Sequence, residues 1–134
     1  MKIHGIGIDV VEVERIGSSM AEFGERFSNR IFTAGERAYC EAQKRPEIHF
    51  AARFAAKEAI AKAFGTGIGK ELGWLDMEIV RKESGEPLLI LSGTGKAFAE
   101  ARGIAEVKIS LTHAREYAAA NAIAISSFTP PAGS

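Results

Sequence analysis

The stretch "FAARFAAKEAIAKAFGTGIG", Phe50 to Gly69, predicts a helix that is buried on almost every side and ends at a glycine-rich turn. At 100° per residue, one apolar stripe of alanines and a second stripe rich in phenylalanine run along it. The first stripe is Ala52, Ala56, Ala59 and Ala63, and the second is Phe50, Phe54, Ala61 and Phe64. Pro46 suits the first turn of this helix, and Gly65 suits the position just past its end.

Four charged residues lie on this apolar helix: Arg53, Lys57, Glu58 and Lys62. Glu58 and Lys62 could form an ordinary exposed pair, with the Arg53 and Lys57 side chains reaching to water. Alternatively, three basic residues and a carboxylate beside glycines suit a polyphosphate. Cations neutralise phosphate oxygens, glycines let backbone N–H groups come close, and a carboxylate can bind magnesium. The residues alone leave both interpretations open.

The segment "GTGIGK", Gly65 to Lys70, matches neither of two common phosphate-binding motifs. A P-loop requires a glycine five places before the final Gly-Lys and a Ser or Thr after it, but Phe64 and Glu71 occupy those positions. A dinucleotide-binding fingerprint follows a strand and begins a helix, whereas these glycines follow a helix. Both motifs are therefore rejected.

The first segment, "KIHGIGIDV", alternates in the manner of a strand. One face would carry His4, Ile6, Ile8 and Val10, and the other Ile3, Gly5, Gly7 and Asp9. Glycine is unfavourable inside a strand, so two glycines beside Asp9 indicate that something approaches the backbone closely. Alternatively, the strand simply ends at a solvated aspartate.

The remaining patterns predict an α+β fold in which helices pack on a small, mostly antiparallel sheet. Apolar residues at steps of three and four predict one amphipathic helix after the first strand: Val13, Ile16, Met20, Phe23 and Phe27. "TAGE", Thr33 to Glu36, is a capping box that begins a short helix. We then expect a hairpin, a helix ending at Gly103 and two closing strands: "WLDMEIV" with "PLLIL", "TGKAFAEARG", "VKISLTH" and "YAAANAIAI".

Length and composition indicate one globular domain, residues 1–126, with a tail over 127–134 that we expect to be flexible. At 134 residues and 46% hydrophobic, the chain can fold without disulfides or a structural metal. Cys40 is the only cysteine, which excludes an internal disulfide, and we expect it to be a small buried residue. The sequence has no membrane span and no signal peptide pattern, so we expect a cytoplasmic protein.

The formal net charge is zero, but the charge is unevenly distributed. Residues 15–70 carry ten Lys and Arg against six Asp and Glu, which predicts a local basic surface. General nucleic-acid binding is not supported, because it normally accompanies a strong overall basic excess.

Four motifs occur in an order that resembles holo-acyl-carrier-protein synthase, the short bacterial type of 4′-phosphopantetheinyl transferase: "GIGIDVVEVERI", "RFSNRIFT", "FAARFAAKEAIAKAFGTGIG" and "ISLTHAREYAAA". The likeness runs from about Ile3 to Ile125. It implies the 4′-phosphopantetheinyl transferase-like fold. It also implies an Mg²⁺-dependent transfer of phosphopantetheine from coenzyme A to a serine of apo-acyl carrier protein, which releases 3′,5′-ADP and supports fatty acid biosynthesis.

The resemblance also implies roles for residues around the pyrophosphate of coenzyme A. Asp9 and Glu58 would hold Mg²⁺, and Glu58, directly or through a water, is a candidate base for the incoming serine. Lys62 would neutralise developing phosphate charge. Gly65 and Gly67 would give the backbone room around the nucleotide.

Other residues would bind the far end of coenzyme A. By resemblance, Arg53 and His113 would bind the 3′-phosphate and Pro87 would contact the adenine side. His113 could instead be a structural turn histidine. We predict structural roles for His4 and His49.

The family likeness further implies an acidic carrier protein docking on a basic first-helix region, namely Arg15, Arg26, Phe27 and Arg30. Single-copy members resemble trimers with nucleotide bound between subunits, so we expect a homotrimer. The segment "YAAANAIAI" could lie between subunits or form a central core strand, and both readings are open.

Two alternative functions remain open. A magnesium-dependent nucleotide phosphohydrolase could use the same carboxylates and lysine with water as nucleophile. A non-catalytic coenzyme A-binding module would bind the nucleotide without transferring any group, and it would not require both Asp9 and Glu58.

Overall fold

The computed structural model describes residues 1–127. In chain order the elements are β1 (Lys2–Glu12), α1 (Val13–Phe23), α2 (Glu25–Ile31), α3 (Ala34–Glu41), α4 (Pro46–Phe64), a 3-10 turn (Trp74–Asp76), β2 (Met77–Arg81), β3 (Pro87–Leu91), α5 (Gly93–Ala101), β4 (Ile104–His113) and β5 (Tyr117–Ser126). Within this range, no helix combines the length and apolarity needed to span a bilayer. Most of the predicted tail lies outside the described residues. Ser127, its first residue, donates its backbone N–H to the Gly103 carbonyl at 2.9 Å.

Two antiparallel sheets make up the strand structure. β5 is the centre of a three-stranded sheet in the order β1-β5-β4, and β2 and β3 form a separate hairpin. The predicted α+β class with helices on an antiparallel sheet is confirmed.

Helix α4 is the centre of the core and packs across β1 and β5. Alternate alanines of β5 face this helix and are buried: Ala118, Ala120, Ala122 and Ala124. The alanine stripe of α4 is buried as predicted, so small side chains on both surfaces allow a close approach. Pro46 at the first helical position and Gly65 in the left-handed conformation bound the helix as predicted.

The closest approach is made by the two glycines of β1. A Cβ on Gly5 would lie 2.0 Å from the carbonyl oxygen of Ala63, and a Cβ on Gly7 would lie 1.8 Å from that of Ala59. The prediction that something approaches this strand closely is therefore confirmed, and the approaching group is the α4 backbone. The apolar face of β1 points away from the helix and is exposed at Ile6, Ile8 and Val10.

The predicted single helix over residues 13–27 is wrong. Gly24 has φ 58° and separates α1 from α2. Because the chain turns there, Phe23 is 51% exposed. Phe27 packs against the core instead, with its ring 6.4 Å from that of Phe32.

Two further local predictions have different outcomes. The capping box is confirmed: Thr33 and Glu36 exchange backbone and side-chain hydrogen bonds at the start of α3. The strand predicted from Trp74 begins only at Met77. The Asp76 carboxylate accepts from Gly73 N–H at 2.9 Å and thereby holds residues 74–76 in a 3-10 turn.

Cys40 is buried, as predicted. Burial raises the pKa of its thiol to about 12, so the thiol stays protonated. It is a core residue rather than a nucleophile.

Candidate active site

The first group of charged residues lies where β1 crosses α4. The Lys62 Nζ donates to Asp9 Oδ1 at 3.2 Å and to the Ile8 carbonyl at 2.9 Å. Burial raises the pKa of Glu58, the charge of Asp9 raises it further, and the charge of Lys62 opposes both effects. The structure therefore brings Asp9 of β1 together with Glu58 and Lys62 of α4, and these three residues are here called the Asp9 group.

The local fold explains this meeting. Asp9 lies on the glycine face of β1, two residues beyond Gly7, which allows the strand to touch the backbone of α4 at Ala59. Glu58 immediately precedes Ala59, and Lys62 follows Glu58 by one helical turn. The glycine contact thus brings the strand carboxylate close to the helix carboxylate.

The chemistry of this group suits a hard cation. Carboxylate oxygens are preferred ligands of Mg²⁺, which usually takes one or two from the protein and the rest from water and substrate phosphates. Among residues 1–127, no cluster of three or more His, Cys, Asp or Glu forms a complete metal cage. Asp9 and Glu58 therefore fit a Mg²⁺ ion that arrives with a phosphate-bearing substrate.

A second group surrounds Arg53 on another flank of α4. The Arg53 side chain is buried, and its guanidinium lies 4.3 Å from the centre of the Tyr39 ring. The His49 ring is 5.4 Å from the His113 ring and 6.0 Å from the Tyr39 ring. This group brings His113, at the end of β4, near the helix that carries Arg53.

The electrostatics of the Arg53 group favour an anion. In the described part of the chain, the buried Nε of Arg53 has no hydrogen-bond partner. Burial lowers the pKa of His49, and the nearby His113 and Arg53 lower it further. A buried donor without an acceptor is costly, so these residues are suited to a phosphate group.

The two groups lie on different flanks of one helix. Arg53 and Glu58 are five residues apart, which places them about 140° apart around the helix axis. Asp9 belongs to β1 and His113 to β4, at opposite edges of the sheet. One copy of the chain therefore presents the two groups in different directions.

Lys57 departs from both interpretations of the charged helix. Its side chain is fully buried rather than extended to water, and its Nζ donates to Glu36 Oε1 at 2.7 Å. It neither reaches solvent nor joins the Asp9 group. The expectation that all three basic residues of the helix face a polyphosphate is wrong for Lys57, because Glu36 of α3 provides an internal partner.

The turn after α4 also differs from expectation in one respect. Gly65 and Gly67 have φ 81° and 66°, which favours glycine at both positions. Their N–H groups donate to the Ala61 carbonyl at 3.1 and 3.2 Å, so these donors close the helix rather than point outward. In the part of the chain that the structure describes, a Cβ at either glycine would meet no atom within 4 Å, and the two residues leave an open surface beside Lys62.

Pro87 is the first residue of β3 and pairs with Arg81 of β2. It lines a cleft of about 440 Å³ between β3, α5 and β4. The cleft is lined by three basic and three acidic side chains: Lys82, Lys96, Lys108, Glu86, Glu100 and Glu106.

Only some of the residues predicted to bind the carrier protein line the same groove. A groove of about 500 Å³, here called the α2 groove, is lined by Phe23, Arg26, Phe27, Arg30, Ile31 and Trp74. Arg15 lies on α1 outside this lining. The groove combines two arginines with exposed aromatic surface, which is typical of a protein-binding surface.

Sequence reasoning missed Tyr39, His49 and Trp74. One signal was available for His49, because it precedes Arg53 by four residues on α4 and therefore shares its face. Trp74 and Tyr39 are positioned by contacts between segments that are distant in sequence, and no local sequence pattern predicts such contacts.

The family comparison decides the relationship of this chain to known proteins. Residues 5–122 match the model of the 4′-phosphopantetheinyl transferase superfamily. The chain belongs to this family. The likeness inferred from the four sequence motifs is therefore confirmed.

Individual relatives agree with this assignment. The chain is 48% identical to the holo-[acyl-carrier-protein] synthase of Chlamydia trachomatis serovar L2 over 90% of its own length and 98% of the relative. It resembles the crystal structure of the Neisseria meningitidis enzyme of that name with a TM-score of 0.87 and 33% identity, covering 92% of this chain and 99% of the other. The Helicobacter pylori enzyme, solved in complex with coenzyme A, gives a TM-score of 0.81 and 32% identity, covering 90% and 99%.

Proposed function

We propose that this protein is a holo-acyl-carrier-protein synthase, which transfers 4′-phosphopantetheine from coenzyme A to a serine of apo-acyl carrier protein. The observation that carries the proposal is the meeting of Asp9, Glu58 and Lys62 in a chain 48% identical to an enzyme of that name. The H. pylori neighbour, crystallised with coenzyme A, supports coenzyme A as the substrate.

In the proposed reaction, the serine Oγ attacks the β-phosphorus of coenzyme A. A new P–O bond forms to the serine, and the bond from the β-phosphorus to the bridging oxygen breaks. The electron pair leaves with 3′,5′-ADP, and the serine proton passes to Glu58 or to a water that Glu58 orients. Burial and the charge of Asp9 raise the pKa of Glu58 in the metal-free chain.

Asp9 and Glu58 are the proposed ligands of Mg²⁺. When bound, the ion neutralises pyrophosphate charge and stabilises the charge that develops during transfer. Lys62 contributes from this chain by the same electrostatic principle. Its side chain is about half exposed, so the ammonium that contacts Asp9 can turn to a phosphate oxygen.

The remaining residues are proposed to bind the adenosine end. Arg53, whose buried Nε is unpartnered within the described residues, and His113 would take the 3′-phosphate. Pro87 would contact the adenine. Gly65 and Gly67 would leave open surface for the nucleotide next to Lys62. These roles extend the family likeness to individual side chains.

The two flanks of α4 support a homotrimer with shared sites. Coenzyme A must reach a pyrophosphate group and a 3′-phosphate group that one copy presents in different directions. A neighbouring copy can supply the Arg53 group to the Asp9 group of the first. Exposed isoleucines on the outer face of β1, Ile6 at 64% and Ile8 at 65%, support burial of this face between copies.

The α2 groove is the proposed docking site for the acidic carrier. Arg26 and Arg30 provide attraction, and Phe23, Phe27 and Trp74 provide apolar contact. Arg15 on α1 would extend the basic surface beyond the groove. The cytoplasmic location expected from the sequence stays a prediction.

One experiment tests the proposed function. Purified protein is incubated with apo-acyl carrier protein, coenzyme A and Mg²⁺, and both products are analysed by mass spectrometry. We expect one phosphopantetheine on the carrier serine for each 3′,5′-ADP released. Release of 3′,5′-ADP without a carrier would indicate a phosphohydrolase, and coenzyme A binding without any product would indicate a binding module.

A further inference from the structure

A buried ion pair lies directly behind the α2 groove. The side chains of Lys57 and Glu36 are both 0% exposed, and Lys57 Nζ lies 2.7 Å from Glu36 Oε1. Neither residue belongs to the Asp9 group or the Arg53 group. This pair is the most deeply buried charge in the described chain that the proposed reaction does not use.

The remaining hydrogens of the Lys57 ammonium hold the wall of the groove. Its Nζ donates to the Ile31 carbonyl at 2.7 Å and to the Trp74 carbonyl at 3.1 Å. Ile31 is the last residue of α2, and Trp74 is the first residue of the 3-10 turn. Both residues line the α2 groove, so one ammonium joins its two sides.

The Glu36 carboxylate also holds separate segments of the chain together. Glu36 Oε1 accepts from the Thr33 N–H at 2.9 Å, and Glu36 Oε2 accepts from the Ile79 N–H at 2.8 Å. Through Lys57 and Glu36, the start of α3, strand β2, the end of α2 and the 3-10 turn are all attached to α4. The Lys57 ammonium and both Glu36 carboxylate oxygens all have hydrogen-bond partners, which favours a single arrangement of the attached segments.

Stability alone does not explain such a network. A buried ion pair often contributes no more than well-packed apolar residues of similar volume, because desolvation offsets the attraction. Burial lowers the pKa of Lys57, and the charge of Glu36 and its hydrogen bond oppose that effect. The hydrogen bonds of the pair are directional, so they fix the positions of the Ile31 and Trp74 carbonyls.

The place of Lys57 along α4 connects the groove to the reaction. Lys57 immediately precedes Glu58, and consecutive helical residues point about 100° apart. Lys57 therefore points to the back of the groove while Glu58 points towards Asp9. A single turn of α4 fixes the position of both the docking surface and the catalytic carboxylate.

We propose that Lys57 is a positioning residue that fixes the α2 groove in register with Glu58, so that a docked acidic carrier presents its serine to the catalytic carboxylate. This inference rests on the proposed function, because it takes the groove as the carrier site. Lys57 itself touches neither coenzyme A nor the carrier serine. Its effect passes through the carbonyls of Ile31 and Trp74.

The test compares Lys57→Met with a matched core variant, Ile104→Ala. Met keeps the length of the lysine chain but removes all three hydrogen bonds, whereas Ile104 is buried at the start of β4, outside the groove lining. We expect Lys57→Met to raise the carrier KM at least tenfold and to leave the coenzyme A KM within twofold of wild type. Ile104→Ala should lower the thermal midpoint without this selective change.

Trp74 provides a second readout, because it is the only tryptophan in the sequence. Its ring stacks on Phe54 with centroids 5.2 Å apart and its carbonyl is held by Lys57. Loss of this hydrogen bond should increase iodide quenching of its fluorescence in Lys57→Met but not in Ile104→Ala. A purely structural role would loosen both variants in the same way.

Lys57→Arg keeps the inference testable if Lys57→Met does not fold. Arginine retains the charge opposite Glu36, but its planar guanidinium donates in directions that differ from those of an ammonium. We expect a smaller rise in carrier KM with the same unchanged coenzyme A KM.

Two results would overturn the inference. One is an equal change in carrier KM and in Trp74 quenching for the Lys57 variants and Ile104→Ala. The other is a change confined to the coenzyme A KM. A wild-type chain that modifies no carrier would instead overturn the proposed function, and the Trp74 quenching comparison would still decide whether Lys57 fixes the groove.

Discussion

At the residue scale, the three basic side chains of α4 lie in three different environments. Lys57 is buried against Glu36, and Lys62 is exposed beside Asp9. Arg53 is buried, and its Nε has no hydrogen-bond partner among residues 1–127. The helix also carries Glu58, whose pKa is raised by burial and by Asp9. Chemical type alone therefore does not define function on α4, because the neighbours of each charge determine what it can do.

The first prediction concerns the two carboxylates. Asp9→Asn and Glu58→Gln keep the shape of the side chains but remove the charges that would hold Mg²⁺. Loss of several kcal/mol of transition-state stabilisation should reduce transfer about a thousandfold or more, with an unchanged circular dichroism spectrum. The measurement is single-turnover modification of apo-carrier at saturating magnesium, and near-normal rates in either variant would contradict the shared-ion site.

The second prediction concerns the stability cost of Glu58. Its pKa is raised in the folded state, so between the unfolded and folded pKa values the native chain binds more protons than the unfolded chain. In that range, stability falls as pH rises. Glu58→Gln should therefore increase the thermal midpoint of the metal-free protein at pH 8, and the increase should shrink as pH falls towards about 4, the ordinary glutamate pKa.

Thermal melts of both proteins at several pH values provide the measurement. Glu83→Gln, in the exposed turn of the β2–β3 hairpin, is the matched control and should show no such trend. A midpoint difference for Glu58→Gln that is independent of pH would contradict the assignment of the cost to ionisation.

At the element scale, the contact between β1 and α4 builds both the core and the site. Gly5 and Gly7 place the strand directly on the helix backbone, and Asp9 follows on the same face. The absence of a side chain at Gly7 is thus a precondition for the meeting of Asp9 and Glu58. Packing and the geometry of the candidate site depend on the same glycines.

The third prediction tests this contact with Gly7→Ala. A Cβ 1.8 Å from the Ala59 carbonyl oxygen cannot be accommodated without separating β1 from α4. We expect a loss of about 3 kcal/mol in unfolding free energy, at the upper end of overpacking effects, together with reduced transfer. Urea denaturation measures the first and single-turnover kinetics the second.

The control for this variant is Gly69→Ala, where a Cβ would meet no atom within 4 Å. Its unfolding free energy should change by no more than about 0.5 kcal/mol. A Gly7→Ala chain as stable as Gly69→Ala would show that the strand can move away without cost.

The fourth prediction concerns α2 and its groove. If Arg26 attracts an acidic carrier, Arg26→Glu should lower the association rate for the carrier and leave coenzyme A affinity unchanged. Exposed charges are screened over about 8 Å at physiological ionic strength, so the wild-type carrier KM should rise with salt. Stopped-flow association at several salt concentrations measures both effects, and salt-independent kinetics with an unaffected variant would place docking elsewhere.

At the scale of the whole molecule, the three-stranded sheet has one covered and one open face. The buried alanines of β5 pack on α4, while Ile6, Ile8 and Val10 of β1 are each more than 60% exposed on the opposite face. A row of exposed isoleucines and valine favours contact between copies. The same arrangement would allow the Asp9 group and the Arg53 group of different copies to share one coenzyme A.

The fifth prediction tests this assembly. Ile6→Lys should convert a closed homotrimer to monomers and abolish activity, whereas Ile90→Lys, at an exposed position on β3, should leave the trimer intact. Sedimentation velocity measures the assembly state. A monomeric wild type with full activity would contradict the shared-site proposal.

Subunit mixing provides an independent test of the same prediction. Inactive Glu58→Ala and His113→Ala chains, mixed and reassembled, should regain activity because a shared site can draw its intact halves from different chains. Recovery is measured by carrier modification after proven exchange. A self-contained site would give none.

The sequence by itself determined features that depend on neighbouring residues. The caps and alanine stripe of α4, the alternation of β1 and the capping box at Thr33 follow from spacing along the chain, and the structure has them as predicted. The resemblance carried by the motifs also grouped Asp9, Glu58 and Lys62 around one pyrophosphate. Such features are readable because a helix or strand repeats within a few residues.

Only the tertiary structure decided what covers each face. Spacing assigned Ile6 and Ile8 to one side of β1, but the glycine side packs on α4 and the isoleucine side is exposed. Spacing also could not separate Lys57 from Lys62, because the partner of Lys57 is Glu36, twenty-one residues away on another helix. Contacts between distant segments leave no periodic trace in the sequence, so the burial of a charge and the meeting of two groups appear only when the chain is folded.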